Sequence, residues 1–401
     1  MKRSRWWRKL RALLFLTLVM PLLILALIEG LVRLSGVNTE VVKSDRFHVA
    51  TPLWVADETN FFSAEALYRH ILHNDVPASA AEWLNCFEEA PYVRYRMRPG
   101  TDRRVINTVN RRELERGHKV RLKANSLGFR SGELPRRKAP QTYRIVFLGD
   151  STTFGWGVEA EERFSERLAA RLNARRDGMR YEVINLGIPG YTSWHGRKAF
   201  EHFALPWSPD LVIMSFGAND GKKISRRAKT ILQRESALEG VKHFMRRFAT
   251  YRLMRRLLLS LANPFEKLAD QPRDPQQQRV PVVTVDEFRE NLGAIARAAR
   301  AHGCRAAFLA LCCPLDYLAP MSALAQRLEI PHMDGMQILL RSVPQIQAGE
   351  IEPELYRYYR ELYGEQILRQ RRILTVTSDS CHPNRLGHIV LAAALEERLF
   401  N

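Results

Sequence analysis

Over residues 141–401 the apolar positions switch repeatedly between two periods. Tyr143-Arg-Ile-Val-Phe-Leu148 is a short apolar run of the kind carried by a strand buried on both faces, and it stops at Gly149-Asp150-Ser151. Apolar residues at helical spacing follow over Glu161–Asn173, closed by Asp177-Gly178. The exchange then repeats with a strand at Tyr181–Asn185, a helix at Trp194–Leu205 and a strand at Leu211–Phe216. Thr284 and Glu287 stand at capping-box spacing and open a helix that runs to His302-Gly303. Strand Arg305–Leu311, a short strand Ile330–Met333 and a closing helix Asn384–Leu399 complete the series. This alternation predicts an α/β fold, a three-layer α/β/α domain with a five-stranded parallel sheet. In such a domain functional residues belong beyond the carboxyl ends of the strands.

Three stretches depart from that alternation. Residues 1–11 carry six Lys/Arg, and Ala12–Ile28 follows with no charge, seventeen residues at the lower limit for a spanning helix. Leu31 and Val32 extend the apolar face, and Glu29 would snorkel. The run exceeds a usual signal-peptide core and no A-x-A-like site closes it, which favours an uncleaved anchor over a cleaved signal. The cationic flank holds the N-terminus in the cytoplasm and puts the chain after about residue 35 outside, in the bacterial periplasm. Residues 36–140 read as a lead-in with short strands at Pro91–Gly100 and Val120–Glu133, the latter turning at Asn125–Gly128. Residues 221–283 read as an insertion. Within it Phe244, Phe248, Tyr251, Met254, Leu258 and Leu261 stand at helical spacing among basic residues. That pattern fits a helix packed on the domain's own flank, and alternatively one lying on a membrane surface or forming a lid. Gln271–Gln278 reads as a polar loop broken by proline.

Composition adds little until charge is counted. A chain that is 46% hydrophobic and 26% charged is ordinary for a folded protein, whereas a formal charge of +19 is not. It fits nucleic acid, an anionic membrane or an acidic polymer as neighbour. No zinc-finger or RNP-type signature accompanies it and the arginines are scattered through helical segments, which argues against nucleic acid. Cys86, Cys304, Cys312, Cys313 and Cys381 are odd in number and scattered, so they form no disulfide framework and nominate no pair. Gly155-Trp-Gly157-Val-Glu-Ala160 matches a dinucleotide fingerprint, but it lies too far beyond its strand, and the next strand ends in Asn185 rather than an acid.

The strand ends carry the chemistry. They read Gly149-Asp150-Ser151, Asn185-Leu-Gly187-Ile-Pro-Gly190 and Gly217-Ala-Asn219-Asp220, and Asp379-Ser-Cys-His382-Pro383 precedes the last helix. Acyl transfer by serine needs a hydroxyl, a base, a group orienting the base, and donors aimed at the oxyanion. Loops on one sheet edge offer all four. These blocks resemble those of the SGNH, or GDSL-type, hydrolases over roughly residues 143–217 and 284–399. "NSLGFRS" and "FGWGVEAEERF" are similar to membrane-anchored bacterial members. The resemblance implies Ser151 as nucleophile, His382 as base and Asp379 as its orienting carboxylate. It implies an oxyanion hole from the backbone amides of Ser151 and Gly187 and the side-chain amide of Asn219. Thr152 and Thr153 stand where Leu or Phe-Thr is more usual. The expectation is a serine esterase needing no metal or organic cofactor, acting outside the cytoplasm on O-acetylated carbohydrate. The alternatives are an acyltransferase to a glycan, a glycan-binding scaffold, or a lipid esterase.

Overall fold

The computed structural model describes residues 6–7, 11–37, 39, 41–43, 50–52, 83, 85–106, 110–225, 229, 239–262, 279–364, 375–377 and 381–401. Its centre is the expected five-stranded parallel sheet. The strands are β1 (Thr142–Gly149), β2 (Arg180–Asn185), β3 (Leu211–Ser215), β4 (Arg305–Ala310) and β5 (His332–Asp334), in the order β5-β4-β3-β1-β2. The continuous apolar runs arise because the sheet is covered on both faces. Val146 and Leu148 of β1 join one apolar cluster with Val212, Met214 and Phe308, while Ile145 and Phe147 join the other with Leu211, Ile213 and Leu309. Side chains alternate at period two, so each strand feeds both cores. Each such side chain, fully buried, contributes about 1.5–3 kcal/mol.

The register aligns the working ends. Gly149 pairs with Ser215 and Phe147 with Asn185, so β1, β2 and β3 finish almost level. Helix Val285–Ala301 starts in the expected capping box, with Thr284 N–H donating to Glu287 Oε2 at 2.7 Å. The last helix, Arg385–Phe400, is capped by the Asn384 side chain and shares an apolar cluster with helix Phe164–Ala174.

Two regions differ from the pattern-based reading. The single helix expected over Trp194–Leu205 is a helix at Ser193–Ala199, a π turn at Phe200–Ala204 and a 3-10 turn at Leu205–Trp207, where Pro206 has no N–H to continue the ladder. Helices at Leu315–Leu328, Gly335–Arg341, Val343–Gln347 and Pro353–Tyr363 were not anticipated. The first holds Pro320 inside it, which reads in sequence as a break.

The lead-in forms two antiparallel hairpins, Phe87–Ala90 with Arg94–Met97 and Asp102–Ile106 with Lys119–Lys123. Phe87, Tyr95, Leu122 and Phe129 belong to the same apolar cluster as Val146 and Leu148. The lead-in therefore packs on the sheet domain instead of closing a core of its own. Among the described residues one helix, Arg11–Leu34, is long and apolar enough to cross a membrane. The antiparallel pair Lys223–Ser225 and Arg279–Pro281 draws the two ends of the insertion together. Inside it, helices Glu239–Met245 and Ala249–Ala262 are separated by a break at residues 246–248. Phe244, Phe248, Met254 and Leu258 are exposed, against the expectation of a helix buried on the flank. The Gln271–Gln278 loop lies outside the described residues.

Candidate active site

Ser151 opens a four-residue helix, Ser151–Phe154, one residue after β1 ends. Asp150 caps that helix by accepting the Thr152 N–H and hydroxyl at 2.8 Å each, and Gly155 ends it with φ 72°, which suits a residue without Cβ. The serine is thus held on a tight strand-to-helix turn. His382 Nε2 lies 2.8 Å from Ser151 Oγ, so the expected nucleophile and base meet across 231 positions of sequence.

His382 sits on a short loop with several ties. Val376 bridges Pro383, and the Thr377 N–H donates to the His382 carbonyl at 2.8 Å. Asn384 N–H donates to Thr375 O at 3.0 Å, while its side chain caps the last helix. A disulfide joins Cys381, the residue before the histidine, to Cys312 beyond the end of β4. No pair could be nominated from spacing, because these cysteines are 69 positions apart. Asp379 lies outside the described residues.

Asn219, on the turn after β3, is 4% exposed and donates from Nδ2 to Asp150 Oδ2 and to Tyr191 O, each at 3.1 Å. Its amide is therefore fixed beside the serine turn by the loops that follow β1 and β2. Gly187 turns out differently from the expectation. Its N–H donates to Asn185 Oδ1 at 3.0 Å, so that amide is committed to the chain itself. A Cβ there would fall 2.6 Å from Phe154 N, so the missing side chain is what lets the β2 loop approach the helix that Ser151 opens. Asn185 strengthens this contact by donating to Thr153 O at 2.8 Å.

Several supporting residues had no role assigned from sequence. Asp220 Oδ1 accepts from Ser193 N–H at 2.9 Å and from its hydroxyl at 2.6 Å, and Oδ2 accepts from Gly217 N–H at 3.0 Å. Burial pushes its carboxyl up to about 6, against those hydrogen bonds. Burial likewise raises the Asp150 carboxyl, with Thr152 opposing. Arg130 is 1% exposed and donates to the carbonyls of Gly155 (2.8 Å), Val158 (2.7 Å), Arg121 (2.8 Å) and Phe154 (3.3 Å). It fastens the chain leaving helix Ser151–Phe154 to the lead-in. Tyr95 of the lead-in donates to Pro189 O at 2.7 Å and accepts, through its own carbonyl, from the Tyr191 hydroxyl. Asp150 and Asp220 stand inside quoted blocks and were findable by asking what holds Ser151 and Asn219. Arg130 and Tyr95 bind backbone carbonyls, which leave no pattern in sequence.

Comparison with known proteins bears on this arrangement. Residues 147–329 match the model of the GDSL-like lipase/acylhydrolase family, a span that includes Ser151 and Asn219 and stops before His382. A search of curated protein sequences gives no match. Similar solved structures include TesA, at 17% identity and a TM-score of 0.37, covering 64% of this chain and 98% of that one. Another is the esterase EstA from Pseudoalteromonas sp. inhibited by monoethylphosphonate, at 15% identity and 0.37, covering 64% and 96%. A third is a catalytic mutant of Axe2, an acetylxylan esterase from Geobacillus stearothermophilus, at 14% identity and 0.37, covering 64% and 93%. Likeness at this level carries no information about substrate.

Proposed function

We propose that this chain, an ester hydrolase by its GDSL-like lipase/acylhydrolase domain, works through Ser151 and His382 outside the cytoplasm. The single observation that carries the mechanism is the 2.8 Å contact between Ser151 Oγ and His382 Nε2. As Oγ bonds to the ester carbonyl carbon, its proton passes to Nε2. The carbonyl electron pair moves onto oxygen, and the resulting oxyanion needs donors. Collapse breaks the bond to the alcohol oxygen, which takes the proton from Nε2 and leaves an acyl-serine. Water then repeats the sequence, giving its proton to His382 and releasing the acid and free serine.

Asp379, three positions before His382, is assigned the role of orienting carboxylate. Ser151 N–H is assigned to the oxyanion, and Asn219 Nδ2 joins it when one of its two present acceptors, Asp150 Oδ2 or Tyr191 O, gives way to the oxyanion. The remaining backbone donor is assigned to Gly190 in place of Gly187, whose N–H is held by Asn185. Gly190 has φ 85° and immediately precedes Tyr191, whose carbonyl accepts from Asn219 Nδ2, which makes it the glycine of that loop nearest in sequence to the Asn219 contact.

Two features support a site outside the cytoplasm. The apolar helix has its cations on the N-terminal side, which keeps that end inside. The Cys312–Cys381 disulfide is at home in an oxidising compartment. An exported O-acetylated carbohydrate is the substrate class we assign, with transfer of the acyl group to a glycan as the competing outcome. The test is a fluorophosphonate probe and acetate release, with wild type and Ser151→Ala. Labelling of wild type alone, with acetate released from acetylated oligosaccharide, supports hydrolysis. Labelling with little acetate released, and with the acetyl group appearing on an added sugar acceptor, favours transfer. No labelling of folded wild type overturns the assignment of Ser151.

A further inference from the structure

The helix that ought to be buried is turned outward, and the anchor holds it there. Glu29, near the C-terminal end of the apolar N-terminal helix, accepts from the Ala249 N–H at 2.8 Å, the Thr250 N–H at 2.9 Å and the Thr250 hydroxyl at 2.8 Å. A carboxylate some 220 positions away thus caps the first turn of helix Ala249–Ala262, where negative charge is favoured. Arg33, one turn further on, donates to Glu29 at 2.7 Å and to the Arg247 carbonyl at 3.1 Å. Towards the catalytic body, Arg246 and Arg255 both hold Glu89 of the lead-in hairpin at 2.6 Å. The insertion helices are therefore pinned between the anchor and the domain by charged side chains.

What faces away is apolar. Phe244, Phe248, Met254, Leu257 and Leu258, with Val241 and Met245, are between 36% and 59% exposed. Beyond the N-terminal helix and the Trp6-Trp7 pair that precedes it, the other large apolar side chains left exposed among the described residues are Val37, Tyr92, Met179 and Leu315, far apart in sequence. An apolar concentration of this kind marks an interaction surface. Lys242 and Arg247 are exposed within the same stretch.

We infer that residues 239–262 lie in the surface of an anionic phospholipid bilayer, the same membrane that the N-terminal helix crosses. At a rise of about 1.5 Å per residue, Glu29 stands ~27 Å along the helix from Arg11, close to the far edge of a hydrocarbon core ~30 Å thick. Whatever Glu29 caps is therefore at headgroup depth. A helix there takes lipid on its apolar face and phosphate on its cations, which is the composition found. The inference rests on the proposed anchor and topology, and is independent of the catalytic residues.

The test uses the full chain in vesicles of phosphatidylethanolamine and phosphatidylglycerol with a clickable acyl chain. A photoreactive diazirine side chain is placed at position 244, 257 or 258, at 23 in the N-terminal helix, or at 315. Lipid adducts at 23, 244, 257 and 258, at least tenfold above 315, are the expected result. Adducts at 23 with none at 244, 257 and 258, or adducts there to a second copy of the chain, overturn the inference. No adduct at 23 overturns the anchor and the inference with it, and leaves fluorophosphonate labelling of Ser151 as the separate check on catalysis. Glu29→Gln should lower the yield at 257 and 258 several-fold without changing it at 23. An unchanged yield removes Glu29 as the clamp.

Discussion

Breaking the Cys312–Cys381 disulfide should cost both stability and turnover, and Cys381→Ser is the cleaner way to do it. Cys312→Ser would leave a free Cys381 thiol with the free Cys313 next to the substituted position, two thiols instead of one. The bond closes a loop with a sequence separation of 69. Loop-closure entropy for that length corresponds to about 4 kcal/mol at 25 °C. The catalytic cost arises because His382 is the next residue, and loss of the bond removes the covalent tie between its loop and the end of β4, so that hydrogen bonds such as those to Thr375 and Thr377 must hold it. A misalignment worth about 1.4 kcal/mol in the transition state is a tenfold loss of kcat. The assay is urea unfolding followed by tryptophan fluorescence, with ester turnover measured in parallel on the full chain in detergent. Reduced wild type and Cys381→Ser should agree with each other and lie about 4 kcal/mol below oxidised wild type. Reduction that leaves both the midpoint and kcat unchanged would refute the reasoning. Burial pushes the free Cys313 thiol up to about 12, so it holds little thiolate with which to attack the intact bond.

Asn219→Ala should lower kcat by roughly two to three orders of magnitude with KM nearly unchanged, because its bond to the oxyanion strengthens only in the transition state; a matching rise in KM would show a ground-state contact instead. Arg130→Met leaves four carbonyls without their donor, at about 1–3 kcal/mol each. The saved desolvation of a buried guanidinium offsets part of this, so denaturant midpoints should report a net loss of about 4 kcal/mol. Gly187→Ala should destabilise the fold and slow acylation together, since its Cβ would meet Phe154 N at 2.6 Å, and single-turnover kinetics with a chromogenic ester would register the second effect. His388 is buried with its titration pushed well below the ordinary range by burial and nearby arginines, and its Nδ1 accepts the Phe164 N–H at 3.1 Å. The unfolded chain binds that proton and the native state does not, so stability falls as pH drops below about 6.5, at up to about 1.4 kcal/mol per pH unit. Unfolding midpoints at pH 7 and pH 5 should lie closer together in His388→Gln than in wild type.

Legibility followed the number of faces each element buries. Strands β1, β3 and β4 feed two apolar clusters at once, so they appear in sequence as nearly continuous apolar runs, whereas β2 carries Glu182 among its apolar residues. Helix Val285–Ala301 was visible because a capping box and a one-sided apolar stripe mark it together. Helix Leu315–Leu328 was not, since Pro320 suggests a break and tertiary packing of Tyr317, Met321 and Leu324 overrides it. Residues 239–262 carry a helical pattern whose burying partner is not written in the pattern itself. An amphipathic stripe reads the same whether protein or lipid covers it.

The same limit governs the site and the charge. Ser151, His382 and Asn219 could be put forward from sequence because acyl chemistry restricts which side chains can serve and where a strand end can put them, and the structure brings Ser151 Oγ and His382 Nε2 to 2.8 Å. A glycine at a strand end has two physical uses, a presented N–H or an absent Cβ, and sequence does not separate them; at Gly187 the N–H goes to Asn185 Oδ1 and a Cβ would meet Phe154 N at 2.6 Å. The surplus of positive charge had suggested an external polyanion, yet several of its arginines act internally. Arg130 holds carbonyls around helix Ser151–Phe154, and Arg144 pairs with Glu182 at 2.7 Å while donating to Trp207 O and Pro135 O. Arg246 and Arg255 are taken up by Glu89. A guanidinium presents five donors in a rigid fork, so one side chain can satisfy several loop carbonyls that no ladder reaches. In this chain arginine does for the loops around the site what strand pairing does for the sheet, and net charge is a poor guide to partners until those internal uses are subtracted.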